Sequence, residues 1–144
     1  MISFLKTGCN GGLLSERIRR QAPVHVLIVD DDEDLLQLVE SVVKQRYPSL
    51  HVHVARDGIE ALEMTRHGTT PALVLTDIKM PRLDGNGLCK SLKAAYRGRV
   101  NVTGMTAGPK PDGAGFDDVL YKPFNMAELY AIIDKAVCEW ERKS

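Results

Sequence analysis

"VLIVDDDEDL", Val26 to Leu35, sets four apolar residues directly against a run of acids, and its reading decides the fold. Asp30, Asp31, Asp32, Glu33 and Asp34 follow one another with no basic residue among them. The apolar half, extended back to Val24, reads as a buried strand, "VHVLIV" over 24–29. After the acids, Leu35, Leu38, Val39, Val42 and Val43 recur at helical spacing until "RYPS" stops the helix at Pro48. Strand, acidic loop and helix in that order form the opening unit of an alternating β and α chain.

The rhythm continues outward. "LHVHVA" (50–55) predicts a second strand with one wetter face, and Asp57-Gly58 turns into a short helix over 59–66. "ALVLT" (72–76) is a third, apolar strand. "LDGNGLCKSLKAAY" gives a helix with Leu88 and Leu92 inward, "VNVTGM" (100–105) a fourth strand and "DVLY" (118–121) a fifth. In the last helix Asn125 is placed to cap and Glu128 to complete a capping box. Met126, Leu129, Ile133, Ala136, Val137 and Trp140 form its apolar stripe. Strands alternating with helices imply a doubly wound parallel sheet, covered on both faces.

Composition narrows the function. The 144 residues suit one domain, and 19 basic against 19 acidic residues leave no overall positive field for nucleic acid. Residues 1–23 nevertheless carry a net +3, from Lys6, Arg17, Arg19 and Arg20 against Glu16. They are read as an N-terminal extension, expected to be flexible, ahead of a domain over 24–144. Cys9, Cys89 and Cys138 lie far apart with no Cys-x-x-Cys pair and fit reduced thiols, the latter two as small fillers on helices. No apolar run approaches the roughly 18 residues that cross a bilayer, and the first residues lack a secretory signal. A cytoplasmic protein without membrane or nucleic-acid partners is expected.

In open parallel sheets ligands bind beyond the carboxyl ends of the strands, where strand order reverses. Asp30 and Asp31 end strand 1, Asp77 ends strand 3, Thr106 ends strand 4 and Lys122 follows strand 5. With a strand order of 2-1-3-4-5 the three carboxylates converge. A hard cation such as Mg²⁺, which takes oxygen ligands and shares positions with phosphate, suits that set. Asp32, Glu33 and Asp34 are placed more simply, at the positive end of the first helix dipole. A lysine ammonium and a threonine hydroxyl suit the oxygens of a phosphorylated carboxylate, with Asp77 as nucleophile.

These residues make the chain resemble a response-regulator receiver domain of bacterial two-component signalling, over about residues 24–141. The likeness rests on Asp30-Asp31, on "DIKMPRLDG" from Asp77 to Gly85, on Thr106-Ala107 and on Lys122-Pro123-Phe124. It implies a flavodoxin-like five-stranded parallel sheet. It implies phosphoryl transfer to Asp77 from a histidine kinase or histidine phosphotransfer protein. It also implies Mg²⁺ held by Asp31, Asp77 and the backbone carbonyl of Lys79, with Asp30 acting through water. Lys122 would contact the phosphoryl group and Thr106 would swing towards it, the switch that shifts the balance of conformations. Such a chain is a phosphoacceptor, not a turnover enzyme. With only "ERKS" after the last helix, its expected output is contact with a downstream protein or onward phosphotransfer.

The chain also departs from that family. Fifteen residues, "AGPKPDGAGFDDVLY", separate Thr106 from Lys122, where receivers place their fourth helix. Pro109, Pro111, Gly108, Gly113 and Gly115 oppose a helix there, so helix 4 is expected to be shortened or replaced by a loop. That loop is expected to change order when Thr106 moves. The aromatic switch position, three before the lysine, holds Val119, while Tyr121 is read as facing the other side of the sheet.

Other readings compete. A haloacid dehalogenase-like phosphatase would use Asp30 as nucleophile with Asp32, Thr106 and Lys122, but leaves Asp77 unexplained. A phosphorylation-independent binding module would keep the pocket and signal by contact alone. Thr103 rivals Thr106 in register. Asp30-x-Asp32-x-Asp34 mimics a calcium loop, but Leu35 and Ser41 stand where glycine and glutamate are needed. His51 and His53 share one side of strand 2 like a metal pair, with no third ligand in view.

Overall fold

The computed structural model describes residues 23–68, 70–109 and 115–143. Its elements are β1 (His25–Val29), α1 (Glu33–Arg46), β2 (His51–Ala55), α2 (Gly58–His67), β3 (Leu73–Asp77), α3 (Gly85–Tyr96), β4 (Asn101–Thr106), β5 (Asp118–Tyr121) and α4 (Met126–Lys143). The strands form one parallel sheet in the order β2-β1-β3-β4-β5, as expected.

The period of two in each strand sorts side chains between two apolar layers. Val26, Ile28, Leu73, Leu75, Met105 and Leu120 point to the layer closed by α1 and α4. Leu27, Val29, Val74, Val100 and Val102 point to the one closed by α2 and α3. The central strands are therefore apolar throughout, because both their faces are buried. Each fully buried leucine or isoleucine contributes about 1.5–3 kcal/mol. Edge strand β2 exposes His51 and His53 while Val52 and Val54 pack inward.

Helix starts follow local chemistry. Asp32, Asp57 and Asp84 cap α1, α2 and α3, each accepting first-turn backbone N–H groups. The capping box is present: Glu128 N–H donates to Asn125 Oδ1 at 2.9 Å, and Asn125 N–H to Glu128 Oε1 at 3.1 Å. No helix among the described residues is long and apolar enough to cross a membrane.

Between β4 and β5 the described residues, 107–109 and 115–117, form bends and irregular backbone, not helix. The expectation of a loop in place of a helix falls partly on 110–114, outside the described residues, and that of a flexible extension over 1–23 falls outside them except at residue 23. The return into β5 is anchored at Asp117. Its backbone N–H donates to Val102 O at 2.9 Å, while its carboxylate accepts from Val102 N–H at 2.8 Å and from the Lys93 ammonium. Beside it the Phe116 ring covers β4 where Gly104 has no side chain; a Cβ there would come within 3.2 Å of the ring.

Two readings need correction. Val119 and Tyr121 pair with Gly104 and Thr106 and, two positions apart, share one face of β5, opposite buried Leu120. Tyr121 therefore does not face away from the Val119 side; it stands half exposed on it. Cys89 is a buried free thiol, whereas Cys138 is disulfide-bonded, so the reading of three reduced thiols fails at Cys138.

Candidate functional site

Parallel strands deliver their carboxyl ends to one edge of the sheet, and β1, β3, β4 and β5 bring the predicted residues there. Asp30 follows β1 and is almost wholly buried, its backbone N–H tied to Ala55 O at 3.1 Å. Asp77 ends β3, next to β1. The Asp30, Asp31 and Asp77 carboxylates each place an oxygen within 4.8 Å of the others. Like charges this close repel, and among the described residues one cation stands between Asp30 and Asp77. Lys122, just past β5, sets its ammonium 3.1 Å from Asp30 Oδ2 and 3.3 Å from Asp77 Oδ1.

Electrostatics follows from that geometry. Burial, and then the neighbouring Asp30 charge, push the Asp77 carboxyl above its ordinary range despite Lys122. For Lys122, burial opposes the charge, but Asp30 and then Asp77 outweigh it and hold the ammonium above the usual lysine range. The pocket is therefore short of positive charge, and its donors are hard carboxylate oxygens. That set fits a small divalent cation such as Mg²⁺. Lys79, two residues past Asp77, lies in the loop that leaves β3, its side chain exposed.

The two acidic candidates differ in what they can do. Asp30 has both oxygens engaged, Oδ1 accepting from Asp32 N–H at 2.9 Å and Oδ2 from Lys122. Buried and doubly bonded, it is a poor nucleophile, which weighs against the phosphatase reading. Asp77 is less buried, and its hydrogen bonds from Ile78 N–H (3.0 Å) and Lys122 both fall on Oδ1. Thr106 lies beside them at the end of β4, its carbonyl accepting Lys122 N–H at 2.8 Å. Its hydroxyl accepts Gly108 N–H at 3.0 Å. The rival Thr103 is fully buried and bonded to Asn101, away from this edge. Asp32 and Asp34 sit at the start of α1 as its dipole favours, Asp32 accepting Asp34 N–H and Leu35 N–H.

Several supporting residues were not singled out from sequence. A Cβ on Gly85 would lie 2.5 Å from Asp77 O and 2.8 Å from Ile78 Cα, so only glycine lets α3 begin against the Asp77 loop. Gly58 similarly abuts Leu83 O, at 2.4 Å from a Cβ. Two forked arginine pairs rim the pocket: Arg56 with Glu33 (2.8 and 3.0 Å) and Arg82 with Asp57 (3.1 and 2.8 Å). They lace the loops after β1, β2 and β3 together. The one available signal was "LDG", where glycine follows a capping aspartate into a helix that lies against the Asp77 loop.

Comparison with known proteins identifies the family of the domain. Residues 26–134 match the family model described as the response regulator receiver domain. The response regulator MprA of Mycobacterium sp. (strain KMS) is 35% identical over 117 residues, covering 76% of this chain and 48% of that protein. The chain thus spans about half the length of the curated relatives it matches. Among solved structures, a CheY-like response regulator receiver domain protein from Methanospirillum hungatei JF-1 superposes with a TM-score of 0.76 at 24% identity, covering 85% of this chain and all of that one. The Vibrio cholerae chemotaxis protein CheY4 gives 0.71 at 24% identity, covering 80% and 99%.

Proposed function

The chain belongs to the response regulator receiver domain family of two-component signalling, and from that premise we propose that it is a phosphoacceptor switch with Asp77 as its nucleophile. The observation that carries this is the Lys122 ammonium set between Asp30 and Asp77, with Asp31 completing the acidic cluster, at one edge of the sheet.

The residues divide the work. Asp77 Oδ1 is held by Ile78 N–H and Lys122, so Oδ2 is the oxygen assigned to attack. It forms a bond to phosphorus in line with the scissile bond of a phosphohistidine on a histidine kinase or phosphotransfer protein. The P–N bond breaks, its electron pair returns to the imidazole nitrogen, and that nitrogen takes up a proton. Asp31, Asp77 and the Lys79 carbonyl would hold Mg²⁺, with Asp30 acting through water, and the ion would neutralise charge at the phosphoryl oxygens. Lys122 contributes a further positive charge from its position between the carboxylates. The Thr106 hydroxyl, which accepts from Gly108, keeps its own proton to donate to a phosphoryl oxygen. Turning to do so releases Gly108, which couples the pocket to the β4–β5 connection. Signalling then proceeds by contact with a downstream protein.

The test is intact-protein mass after incubation with Mg²⁺ and acetyl phosphate. Native protein gains one phosphoryl group, and Asp77→Asn abolishes the gain. An adduct that survives Asp77→Asn and is lost in Asp30→Asn would return the chain to the phosphatase reading.

A further inference from the structure

All four histidines of the chain, His25, His51, His53 and His67, gather at the end of the sheet opposite the acidic pocket. His25 begins β1 and stands directly across the ladder from His51, the first residue of β2. His53, two residues on, shares the face of His51. The His25 ring centroid lies 5.1 Å from that of each neighbour, and His25 Nδ1 lies 2.8 Å from His53 Nε2. At that separation one nitrogen carries the hydrogen and the other offers its lone pair. Beside the pair opens a cavity of about 240 Å³, walled by His25, His53, His67, Leu27, Met64 and Pro71. No residue of the phosphoacceptor chemistry lies here.

We propose that this face binds one divalent transition-metal ion of the class that prefers imidazole, Zn²⁺ or Cu²⁺, through His25 Nδ1, His53 Nε2 and a nitrogen of His51. Three imidazoles with a fourth position open to water are an established donor set for such ions. The ion replaces the hydrogen that the His25–His53 pair shares. With metal–nitrogen bonds of about 2.0–2.1 Å, a tetrahedral angle needs the two nitrogens ~0.5 Å further apart than they stand. His53 and His51 are exposed on an edge strand and can turn to supply that opening and the third bond. The hard carboxylates of the acidic pocket and these softer nitrogens thus divide two kinds of cation between the two ends of β1, about 16 Å apart along the strand.

The test titrates Cu²⁺ into the full chain with Mg²⁺ in large excess, so that the acidic pocket is not the site observed. Electron paramagnetic resonance counts the nitrogens on the copper. The expected result is one equivalent bound with imidazole nitrogen splittings. His53→Gln weakens binding by about 100-fold or more, a loss at the upper end of that caused by removing even an outer partner. His25→Gln does the same, circular dichroism confirming that each variant is folded. His51→Gln weakens binding and His67→Gln does not. In parallel, Zn²⁺ raises the melting temperature of native protein and leaves that of His53→Gln unchanged. Binding that survives both His25→Gln and His53→Gln, a copper signal without nitrogen splitting, or no binding above the Mg²⁺ background would overturn the proposal.

Discussion

Replacing Gly85 by alanine puts the close approach of α3 to the Asp77 loop under direct strain. Two effects oppose each other. Alanine in place of glycine in a helix gains up to about 1 kcal/mol, and less in the first turn, where Gly85 sits. Against that, the new Cβ would stand 2.5 Å from Asp77 O and 2.8 Å from Ile78 Cα. Opening the first contact to 3.0 Å means moving backbone by at least 0.5 Å. The segment that must move is held by Gly85 N–H on Ile78 O at 2.8 Å and by Ile78 N–H on Met105 O at 3.2 Å. Overpacking against such neighbours costs about 1–3 kcal/mol. The net is a loss of about 1–2 kcal/mol, or a fall in melting temperature of about 4–8 °C. Displacing Asp77 by that distance also slows phosphoryl uptake from acetyl phosphate by about tenfold, since a 1 Å misplacement can cost about 100-fold. Gly108→Ala is the control, because among the described residues its Cβ would meet only Thr106 Oγ1, at 3.7 Å, and stability should stay within ~0.5 kcal/mol. Urea unfolding and uptake followed by intact mass read both quantities. A Gly85→Ala protein as stable as native, with unchanged uptake, would refute the idea that this glycine sets the position of Asp77.

Three further outcomes are expected. In metal-free buffer Asp77→Asn raises the melting temperature by roughly 2–5 °C, because it removes a carboxylate whose ionisation burial and Asp30 oppose; added Mg²⁺ narrows the gap. A fall on substitution would show that Asp77 stabilises the empty pocket. Asn125→Ala removes one half of the capping box and costs about 1 kcal/mol by urea midpoint, with the phosphoacceptor residues untouched. Asp134 accepts the Tyr47 hydroxyl at 2.8 Å, and burial holds its carboxyl above the ordinary 3.8. A raised carboxyl pKa adds stability that is complete below pH 3.8 and lost as pH rises through the folded-state value. Asp134→Asn should therefore gain stability relative to native as pH climbs from about 3.5 to 7, and thermal melts showing a constant difference would contradict it.

What could be read in advance was whatever lies in strand and helix periods or at strand ends. Strands buried on both faces announce themselves as apolar runs, and aspartates before helices mark their starts, so order, caps and the acidic edge were legible. Packing at the level of single atoms was not. Gly85 looks like an ordinary turn residue until the backbone of Asp77 is found against it. The Arg56–Glu33 and Arg82–Asp57 pairs join residues 23 and 25 positions apart, a distance at which sequence carries no pairing signal. His25 read as one more strand residue, and only the ladder register shows it opposite His51. On β5 the period of two places Tyr121 with Val119, as the pairing of Thr106 with Tyr121 requires.

The anchoring of Asp117 has a consequence for how such a domain diversifies. Because Asp117 ties the return of the chain to β4 and α3, while Lys122 N–H on Thr106 O fixes the start of the next segment, the geometry of the pocket is set outside the intervening loop. Closing a longer loop between fixed ends costs only about 0.6 kcal/mol per doubling of length. Insertions and substitutions there can accumulate at little thermodynamic cost, and a new recognition surface can be fashioned beside Thr106 without rebuilding the chemistry beneath it. The stretch after Thr106 is thus the natural place to graft a foreign binding peptide if this domain is made into a phosphorylation-controlled scaffold.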